Sequence, residues 1–287
     1  MRLFECRRDE GGRRSRQPDR LFGEEPDITG TTSEKPAIAT AKRDSLLIIT
    51  IDRPQARNAV NEAVALGLAA ALDQLDDDDE LAAGILTGSP PGFCAGMDLK
   101  AFVAGESVSA GDRGFAGIVR RASRKPLIAA VEGFAFAGGL EVALACDLLV
   151  VARDARLGVP EVKRGLAPIG GALRWLPQRL PAGVAMEMAL TGEPLDTRRA
   201  YDLGLINRLT EPGEALAEAI SLAELIAANG PLAVTATKEV LKRQFYWGEK
   251  EFWDHQDELT EHVFASRDAR EGALAFTEKR PPRWEGR

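Results

Sequence analysis

The chain has 287 residues, with 37 Lys and Arg against 44 Asp and Glu, a formal charge of −7, and 45% hydrophobic residues. This composition is that of an ordinary globular protein, long enough to bury one sizeable core. The acidic balance argues against nucleic acid as the main partner, because phosphate binding needs a basic excess. The apolar runs are far shorter than the roughly 18 residues that a membrane span requires.

The cysteines and histidines narrow the possible chemistry. Three scattered cysteines suit neither a disulfide framework nor a zinc site, and they favour a reducing compartment such as the cytoplasm. His255 and His262 lie seven residues apart, whereas a metal-binding pair on a helix needs a spacing of about three or four. Histidine-dependent catalysis and a metal site are therefore not expected.

Residues 1–40 differ from the rest of the chain. Their arginines alternate with acids, glycine and proline and show no apolar periodicity, so a disordered, dispensable extension is predicted. The segment lacks the apolar core of a secretory signal, and its acidic residues count against a mitochondrial presequence.

Ordered structure is predicted to begin at Ser45. The β-branched run 45–51 predicts a strand, and apolar residues at helical spacing from Val60 to Leu75 predict an amphipathic helix. Further strands are expected at 81–87, 127–131 and 146–152. Strands that alternate with helices indicate an α/β core with a mainly parallel sheet over 41–210, followed by a helical region over 211–287.

Two glycine-containing segments follow predicted strands, GFCAGMDLK at 92–100 and EGFAFAGGLE at 132–141. The first N–H groups of a helix lack internal partners and carry positive potential, so two such ends facing one another would bind phosphate or a developing oxyanion. The spacing at 133–139 is similar to a P-loop but lacks its Lys and Ser/Thr. Tight packing of strand against helix is the alternative interpretation.

Two carboxylates stand among apolar neighbours, Glu141 at a predicted helix start and Glu161 after Pro160. An apolar environment raises a carboxyl pKa, so such groups exchange protons near neutrality. A pair of them can hold one water and move protons to and from two adjacent atoms. Taken singly, each is equally an ordinary helix cap or a surface ion pair.

These motifs resemble those of the enoyl-CoA hydratase/isomerase family, also called the crotonase family, over roughly residues 42–285. The resemblance is carried by the following positions: Arg53-Pro54, Asn58-Ala59, 93–99, 128–141, Cys146-Asp147, 158–161, Thr191-Gly192, 200–205, 268–272, Phe276 and 278–280.

The resemblance implies a spiral of ββα units with a helical C-terminal trimerisation region, assembled as a homotrimer or a dimer of trimers. It implies the lyase reaction of fatty acid metabolism that adds water reversibly to a 2-trans-enoyl-CoA and gives 3-hydroxyacyl-CoA. By resemblance, the N–H groups of Met97 and Gly138 form an oxyanion hole for the thioester oxygen. Glu141 deprotonates the water and Glu161 protonates the α-carbon. No metal or redox cofactor is implied, and coenzyme A is the carrier of the substrate.

The resemblance also marks substrate-binding positions: Arg57, Ala95, Gly96, Asp98, Leu99, Lys100, Ile169 and Lys279. The cations Arg57, Lys100 and Lys279 are the candidates for the phosphates of coenzyme A, because the chain as a whole is acidic. Two departures from the family pattern stand out: Ile169 changes the expected wall of the acyl pocket, and Ala137 replaces a glycine without expected harm.

Two alternatives to hydration remain open. The first is isomerisation, or dehydration of a specialised acyl-CoA such as carnitinyl-CoA, by the same family. The second is binding of acyl-CoA without catalysis.

Overall fold

A computed structural model describes residues 35–287. The strands within this range are β1 (Ile38–Arg43), β2 (Leu46–Ile51), β3 (Ala83–Gly88), β4 (Ser109–Ala110), β5 (Gly114–Phe115), β6 (Leu127–Val131), β7 (Phe134–Phe136), β8 (Leu148–Ala152), β9 (Arg156–Gly158) and β10 (Arg208–Thr210). The helices are α1 (Glu62–Asp77), α2 (Leu99–Val103), α3 (Gly138–Ala145), α4 (Ala172–Arg179), α5 (Ala182–Thr191), α6 (Thr197–Asp202), α7 (Ala215–Ala227), α8 (Pro231–Arg243), α9 (Glu249–Phe264) and α10 (Arg267–Glu278).

The main sheet has the strand order β1-β2-β3-β6-β8-β10. All neighbouring strands in it are parallel except β1 and β2, which form an antiparallel hairpin. The predicted α/β class and the mainly parallel sheet are therefore confirmed. Two small sheets, β4-β5 and β7-β9, stand beside the main one.

Strand β1 shows that the expected first residue of ordered structure was wrong. The sequence analysis began ordered structure at Ser45, but β1 spans Ile38–Arg43 and pairs with β2 from Ile38↔Ile51 to Arg43↔Leu46. Its last four residues are exposed, as suits the edge strand of a sheet, so the segment shows little of the hydrophobic pattern that marks a buried strand. The predicted extension 1–40 therefore includes the first three residues of β1, and residues 1–34 lie outside the described range.

Alternating side chains of the strands fill two cores, one on each face of the sheet. On one face, residues such as Leu47, Ile49 and Ile51 pack with α1. On the other face, Leu46 and its counterparts from neighbouring strands pack against the small apolar side of α7. Helix α7 thus belongs to the α/β core by packing, although it lies in the predicted helical region 211–287.

Helix α8 is fastened to the sheet by a buried ion cluster. Lys238 Nζ and Lys242 Nζ each lie 2.7 Å from an oxygen of Asp147, which directly precedes β8. Burial raises the pKa of Asp147, but the charges of the two lysines outweigh it and hold the pKa below its usual range. Removing Asp147 would leave the largely buried Lys238 without its counter-ion, which is strongly destabilising, whereas Lys242 is 41% exposed.

The C-terminal tail folds back on the start of α10. The buried Asp268 accepts hydrogen bonds from the N–H groups of Glu285 at 2.7 Å and Gly286 at 3.0 Å. Glu271 pairs with Arg280, and the indole N–H of Trp284 donates to the carbonyl of Ala228 at 2.8 Å. The motif at 268–280 therefore anchors the tail.

Within the described range, no single helix is long and apolar enough to cross a membrane. The pair Ala215–Ala227 and Pro231–Tyr246 reaches that length and composition only together, and it bends by 109° at its break.

Candidate active site

The two glutamates are placed by the small parallel sheet of β7 and β9. Its register pairs Ala135 with Leu157, and the strands end together at Phe136 and Gly158. Helix α3 begins shortly after β7 and carries Glu141 in its first turn. A 3-10 helix at Pro160–Arg164 follows β9 and carries Glu161. The paired strands β7 and β9 thus place two carboxylates, 20 residues apart in sequence, at the same end of the small sheet.

Glu141 is 4% exposed and held by the start of α4. The N–H of Ala172 donates to its Oε1 at 3.1 Å. A Cβ on Gly170 would lie 2.3 Å from Oε2, so only glycine lets this loop approach the carboxylate so closely. Burial raises the pKa of Glu141 to about 7; the Ala172 hydrogen bond opposes the rise, and the charge of Glu161 adds to it.

Glu161 is partly buried and less constrained. Its Oε2 is buried without a hydrogen-bond partner among the described residues. Burial raises the pKa of this carboxyl, although its own backbone N–H and the charge of Arg164 pull it downwards. A buried carboxyl oxygen without a partner has free capacity for a proton, a water molecule or a substrate atom.

The segment around Cys94 lies alongside β7. The N–H of Cys94 donates to Phe134 O at 3.2 Å, and Phe136 N–H donates back to Cys94 O at 3.1 Å. Gly96 has a φ of +97°, and a Cβ there would lie 3.0 Å from the backbone nitrogen of Gly138. Glycine at position 96 therefore allows this segment to touch the start of α3.

This contact brings the two candidate oxyanion donors close together. Met97 directly follows Gly96, and Gly138 is the first residue of α3, where a helix has no internal acceptor for its N–H. Within residues 35–287, the N–H groups of Met97 and Gly138 form no hydrogen bond to a side chain. Neither of them donates to a backbone carbonyl outside its own element. Two unpaired N–H groups beside two carboxylates can polarise a carbonyl while protons move at the neighbouring carbons.

Phe115 is a further neighbour that the sequence did not indicate. A Cβ on Gly138 would lie 2.5 Å from the end of its ring, so the aromatic side chain packs directly on this glycine. Phe115 comes from β5, a two-residue strand without a recognisable pattern.

The other expected substrate-binding residues differ in their surroundings. Ala95 is bonded through its N–H to the carbonyl of Arg57 at 3.1 Å, which places the Arg57 backbone beside the Met97 segment. Asp98 caps α2 and pairs with Arg53, so protein groups engage its carboxylate. Leu99 and Lys100, the first residues of α2, are exposed, as is the side chain of Arg57.

Ile169 and Lys279 are the two outlying positions. Ile169 is 91% exposed, and its expected part in an acyl pocket stays a prediction. Lys279 is exposed at the end of α10, with a φ of 55°. No described contact joins Lys279 to either glutamate, and its side chain stays a candidate for phosphate alone.

Ala137, which was expected to replace a glycine without harm, has a strained backbone conformation. It precedes α3 with a φ of 52° and a ψ of −129°, a combination that L-residues with a Cβ rarely adopt. Such a conformation costs roughly 1–3 kcal/mol. The strain lies directly beside the Gly138 donor.

Among the described residues there is no group of three or more His, Cys, Asp or Glu side chains that could hold a metal ion. Two surface recesses of about 420 Å³ lie away from the glutamates. One separates the start of α10 from the charged tail, and the other lies between β1 and α1.

Known proteins are similar to this chain in both fold and sequence. The fold is that of a crotonase-type α/β protein, and the model of the family described as enoyl-CoA hydratase/isomerase matches residues 41–287. The chain belongs to the enoyl-CoA hydratase/isomerase family. The expected crotonase-like fold and the hydratase class of enzyme are thereby confirmed.

Several relatives illustrate the range of this family. Enoyl-CoA hydratase EchA19 of Mycobacterium tuberculosis is 38% identical over 90% of this chain and 99% of its own. Carnitinyl-CoA dehydratase of Proteus mirabilis is also 38% identical, over 85% of this chain and 97% of its own. The crystal structure of enoyl-CoA hydratase EchA1 from Mycobacterium marinum is 55% identical, with a TM-score of 0.87, over 88% of this chain and all of that one.

Proposed function

We propose that this protein adds water reversibly across the double bond of a 2-trans-enoyl-CoA and gives the 3-hydroxyacyl-CoA. The observation that carries the proposal is that Glu141 lies in the first turn of the helix whose first residue is Gly138, where the charge of Glu161 reaches it and the segment with Gly96 packs against the Gly138 nitrogen. Such a site suits a reaction that develops negative charge on a thioester oxygen and moves protons at two neighbouring atoms.

The proposed steps assign one task to each group. The N–H groups of Met97 and Gly138 bind the thioester oxygen and stabilise the enolate that forms when a nucleophile adds at the β-carbon. Ionised Glu141 takes a proton from the water whose oxygen forms the bond to the β-carbon. Protonated Glu161 gives its proton to the α-carbon, and the thioester carbonyl is restored. The pair thus exchanges one proton between its members, and the reverse sequence dehydrates the product.

Recognition of the coenzyme A carrier is assigned to exposed cations. The protein is acidic overall, so local positive charge must pair with the phosphates of the carrier. Arg57 and Lys100 lie on the two sides of the Met97 segment, and Lys279 stands at the end of α10. Arg57 and Lys100 are the stronger candidates, because the Arg57 carbonyl accepts the N–H of Ala95, two residues before Met97, and Lys100 follows Met97 by three residues.

A second candidate function is dehydration of a specialised acyl-CoA. It is favoured by the relatives named carnitinyl-CoA dehydratase, which are as similar in sequence as enoyl-CoA hydratase EchA19, at 38% identity, although less similar than enoyl-CoA hydratase EchA1 of Mycobacterium marinum at 55%. Isomerisation of a 3-enoyl-CoA needs the same donors and carboxylates. Turnover of carnitinyl-CoA or of a 3-enoyl-CoA in preference to a 2-enoyl-CoA would favour these reactions, and acyl-CoA binding without turnover would indicate a non-catalytic protein.

Self-association as a homotrimer or a dimer of trimers is part of the proposal. None of the 16 residues of α9 is buried within the described chain, although the helix is amphipathic. Phe264 and Phe276 are also largely exposed, as an apolar surface that another subunit covers would be. A role in fatty acid metabolism and a cytoplasmic location accompany this function as predictions.

The decisive experiment follows hydration of 2-enoyl-CoAs of increasing chain length by the loss of their conjugated absorbance. Glu141→Gln and Glu161→Gln are each expected to lower turnover by about 10²–10⁴. The double variant loses far less than the product of the single losses, because the pair acts as a unit. Glu187→Gln is the matched control, since Glu187 lies on the surface of α5 and pairs with Arg199 of α6. Near-normal hydration in either single variant of the pair would contradict the assignment.

A further inference from the structure

Arg53 and Asp98 form a shielded ion pair next to the candidate N–H donor of Met97. The guanidinium donates from Nη1 and Nη2 to the same oxygen, Asp98 Oδ2, at 3.1 Å each. The two side chains are only 18% and 15% exposed. Partial burial shields a charged pair from salt and makes its hydrogen bonds stronger than those of a surface pair.

The two oxygens of Asp98 have separate partners. While Oδ2 receives Arg53, Oδ1 accepts the N–H groups of Lys100 at 3.1 Å and Ala101 at 3.3 Å and so caps α2. Burial raises the pKa of Asp98, but the Ala101 hydrogen bond and Arg53 outweigh it and hold the pKa below its usual range. The carboxylate is therefore charged at neutral pH.

Met97 lies between the residues that these contacts restrain. The N–H of Val60 donates to Gly96 O at 2.8 Å, and the N–H of Asp98 donates to Val60 O at 2.8 Å. Arg53 Nη1 also donates to the carbonyl of Ala59 at 2.6 Å. One guanidinium therefore connects both sides of the backbone bridge that surrounds Met97.

The loop has another anchor that does not involve the side chains of this pair. The side-chain amide of Asn58 donates to the carbonyls of Ser89 and Gly92, each at 2.7 Å, and its oxygen accepts the N–H of Arg53 at 3.0 Å. Asn58 therefore holds the turn after β2 through contacts that remain when the side chains of the ion pair are changed.

We propose that Arg53 and Asp98 are positioning residues that aim the N–H of Met97 at the thioester oxygen. The proposal deepens the hydratase function and rests on it. A hydrogen bond weakens steeply as its angle closes towards about 120°. Loosening the pair therefore lowers the stabilisation of the enolate more than it lowers affinity for the coenzyme A carrier.

Asp98→Asn separates the ion pair from the helix cap, because asparagine caps a helix about as well as aspartate but carries no charge for Arg53. We expect kcat for hydration to fall by about 10–100-fold, less than for loss of a whole donor, while KM changes by less than about threefold. Arg53→Lys keeps the positive charge but lacks the two-pronged geometry, and it is expected to act in the same direction.

Asp196→Asn is the matched control. Asp196 caps α6 by accepting the N–H of Arg199 at 2.9 Å, and no described contact links it to the site. This variant is expected to keep wild-type kcat, KM and melting temperature.

A spectroscopic readout distinguishes positioning from a merely structural role. A 2-enoyl-CoA that carries an electron-rich aromatic ring absorbs at longer wavelength when N–H donors polarise its carbonyl. Saturated wild-type protein is expected to give the full red shift, Asp98→Asn and Arg53→Lys a smaller one, and Asp196→Asn the full shift. Wild-type kcat and red shift in either Asp98→Asn or Arg53→Lys would overturn the proposal, as would a lowered melting temperature with a full red shift.

The two proposals can fail separately. A wild-type protein that gives the red shift but hydrates no enoyl-CoA would overturn the hydratase function and leave the positioning role standing. A wild-type protein that binds the aromatic thioester without any shift would overturn both.

Discussion

The N–H of Ala172 donates a 3.1 Å hydrogen bond to Oε1 of Glu141, so that the start of α4 meets the first turn of α3. The N–H groups in the first turn of a helix lack internal partners, and here one of them finds its acceptor in a carboxylate. This hydrogen bond fixes the plane of the Glu141 carboxylate and opposes the rise in its pKa that burial produces. The pKa of Glu141 therefore depends on how closely the loop before α4 approaches it.

The pH dependence of the rate is expected to reflect one proton shared by Glu141 and Glu161. Burial raises the pKa of Glu141 to about 7 and also raises that of Glu161, and the two titrate as a coupled pair. The proposed mechanism needs the singly protonated pair. We expect kcat/KM to be bell-shaped and to fall as the pH rises through about 7, where the last proton leaves.

The same bell-shaped pH dependence of kcat/KM is expected for hydration and for dehydration. Neither reaction consumes or releases a net proton, so the ratio of kcat/KM in the two directions equals an equilibrium constant that does not vary with pH. Both directions are measured across about pH 5–9. A rate that stays flat through neutrality would show that the pair does not hold the reacting proton.

Stability is expected to depend on the proton of Glu141. The folded pKa of about 7 lies above the usual 4.5, so protonation favours the folded state. This contribution is complete below the unfolded pKa and is lost as the pH rises through the folded pKa, with an upper limit of about 3 kcal/mol.

Glu141→Gln tests this linkage, because glutamine keeps the shape of the side chain and cannot ionise. Its melting temperature is expected to exceed that of the wild type at about pH 8, and the difference is expected to shrink towards about pH 5. A difference that is the same at both pH values would contradict a raised pKa for Glu141.

Gly170→Ala tests the close approach of the loop to Glu141. A Cβ at this position would meet Glu141 Oε2 at 2.3 Å, so the loop or the carboxylate must move. We expect turnover to fall by about 10²-fold, as for other misplacements of about 1 Å at a reacting group. Gly183→Ala in α5 is the control, because a Cβ there meets nothing within 4 Å. Equal activity in the two variants would show that the loop yields without consequence.

Ala137→Gly is expected to relieve strain beside the Gly138 donor. Glycine adopts the φ of 52° and ψ of −129° without a Cβ penalty, which outweighs its greater freedom in the unfolded chain. We expect the free energy of unfolding to rise by roughly 1 kcal/mol with activity retained. Chemical denaturation measures the change, and a loss of stability would show that the alanine is well accommodated.

The hydrophobic pattern of the buried strands was sufficient to predict them, and that of the short or exposed strands was not. The predicted strand at 45–51 corresponds to β2, since all six residues of Leu46–Ile51 are Leu, Ile or Thr in an unbroken run and four of them are buried. Strand β1 was missed because its exposed positions follow no apolar run, and β10 because it has only three residues. Local sequence patterns therefore predicted the centre of the sheet better than its two edges.

The site was predictable where motifs lie within one segment. Glu141 and Glu161 were recognised by their apolar neighbours, and the structure buries Glu141 as expected. The pairing of Arg53 with Asp98, 45 residues apart, and the fit of Gly170 against Glu141 depend on how separate loops meet. No spacing rule within a single element expresses such contacts.

The candidate donors are backbone N–H groups, whereas the candidate proton carriers are side chains on elements that β7 and β9 hold. A point mutation at Met97 replaces the side chain but leaves its amide in place. A single codon change at position 141 or 161, in contrast, removes a carboxylate and keeps the two candidate N–H donors in place. The architecture is therefore readily diverted in evolution: new reactions can arise on an unchanged scaffold by exchange of one or two acidic residues.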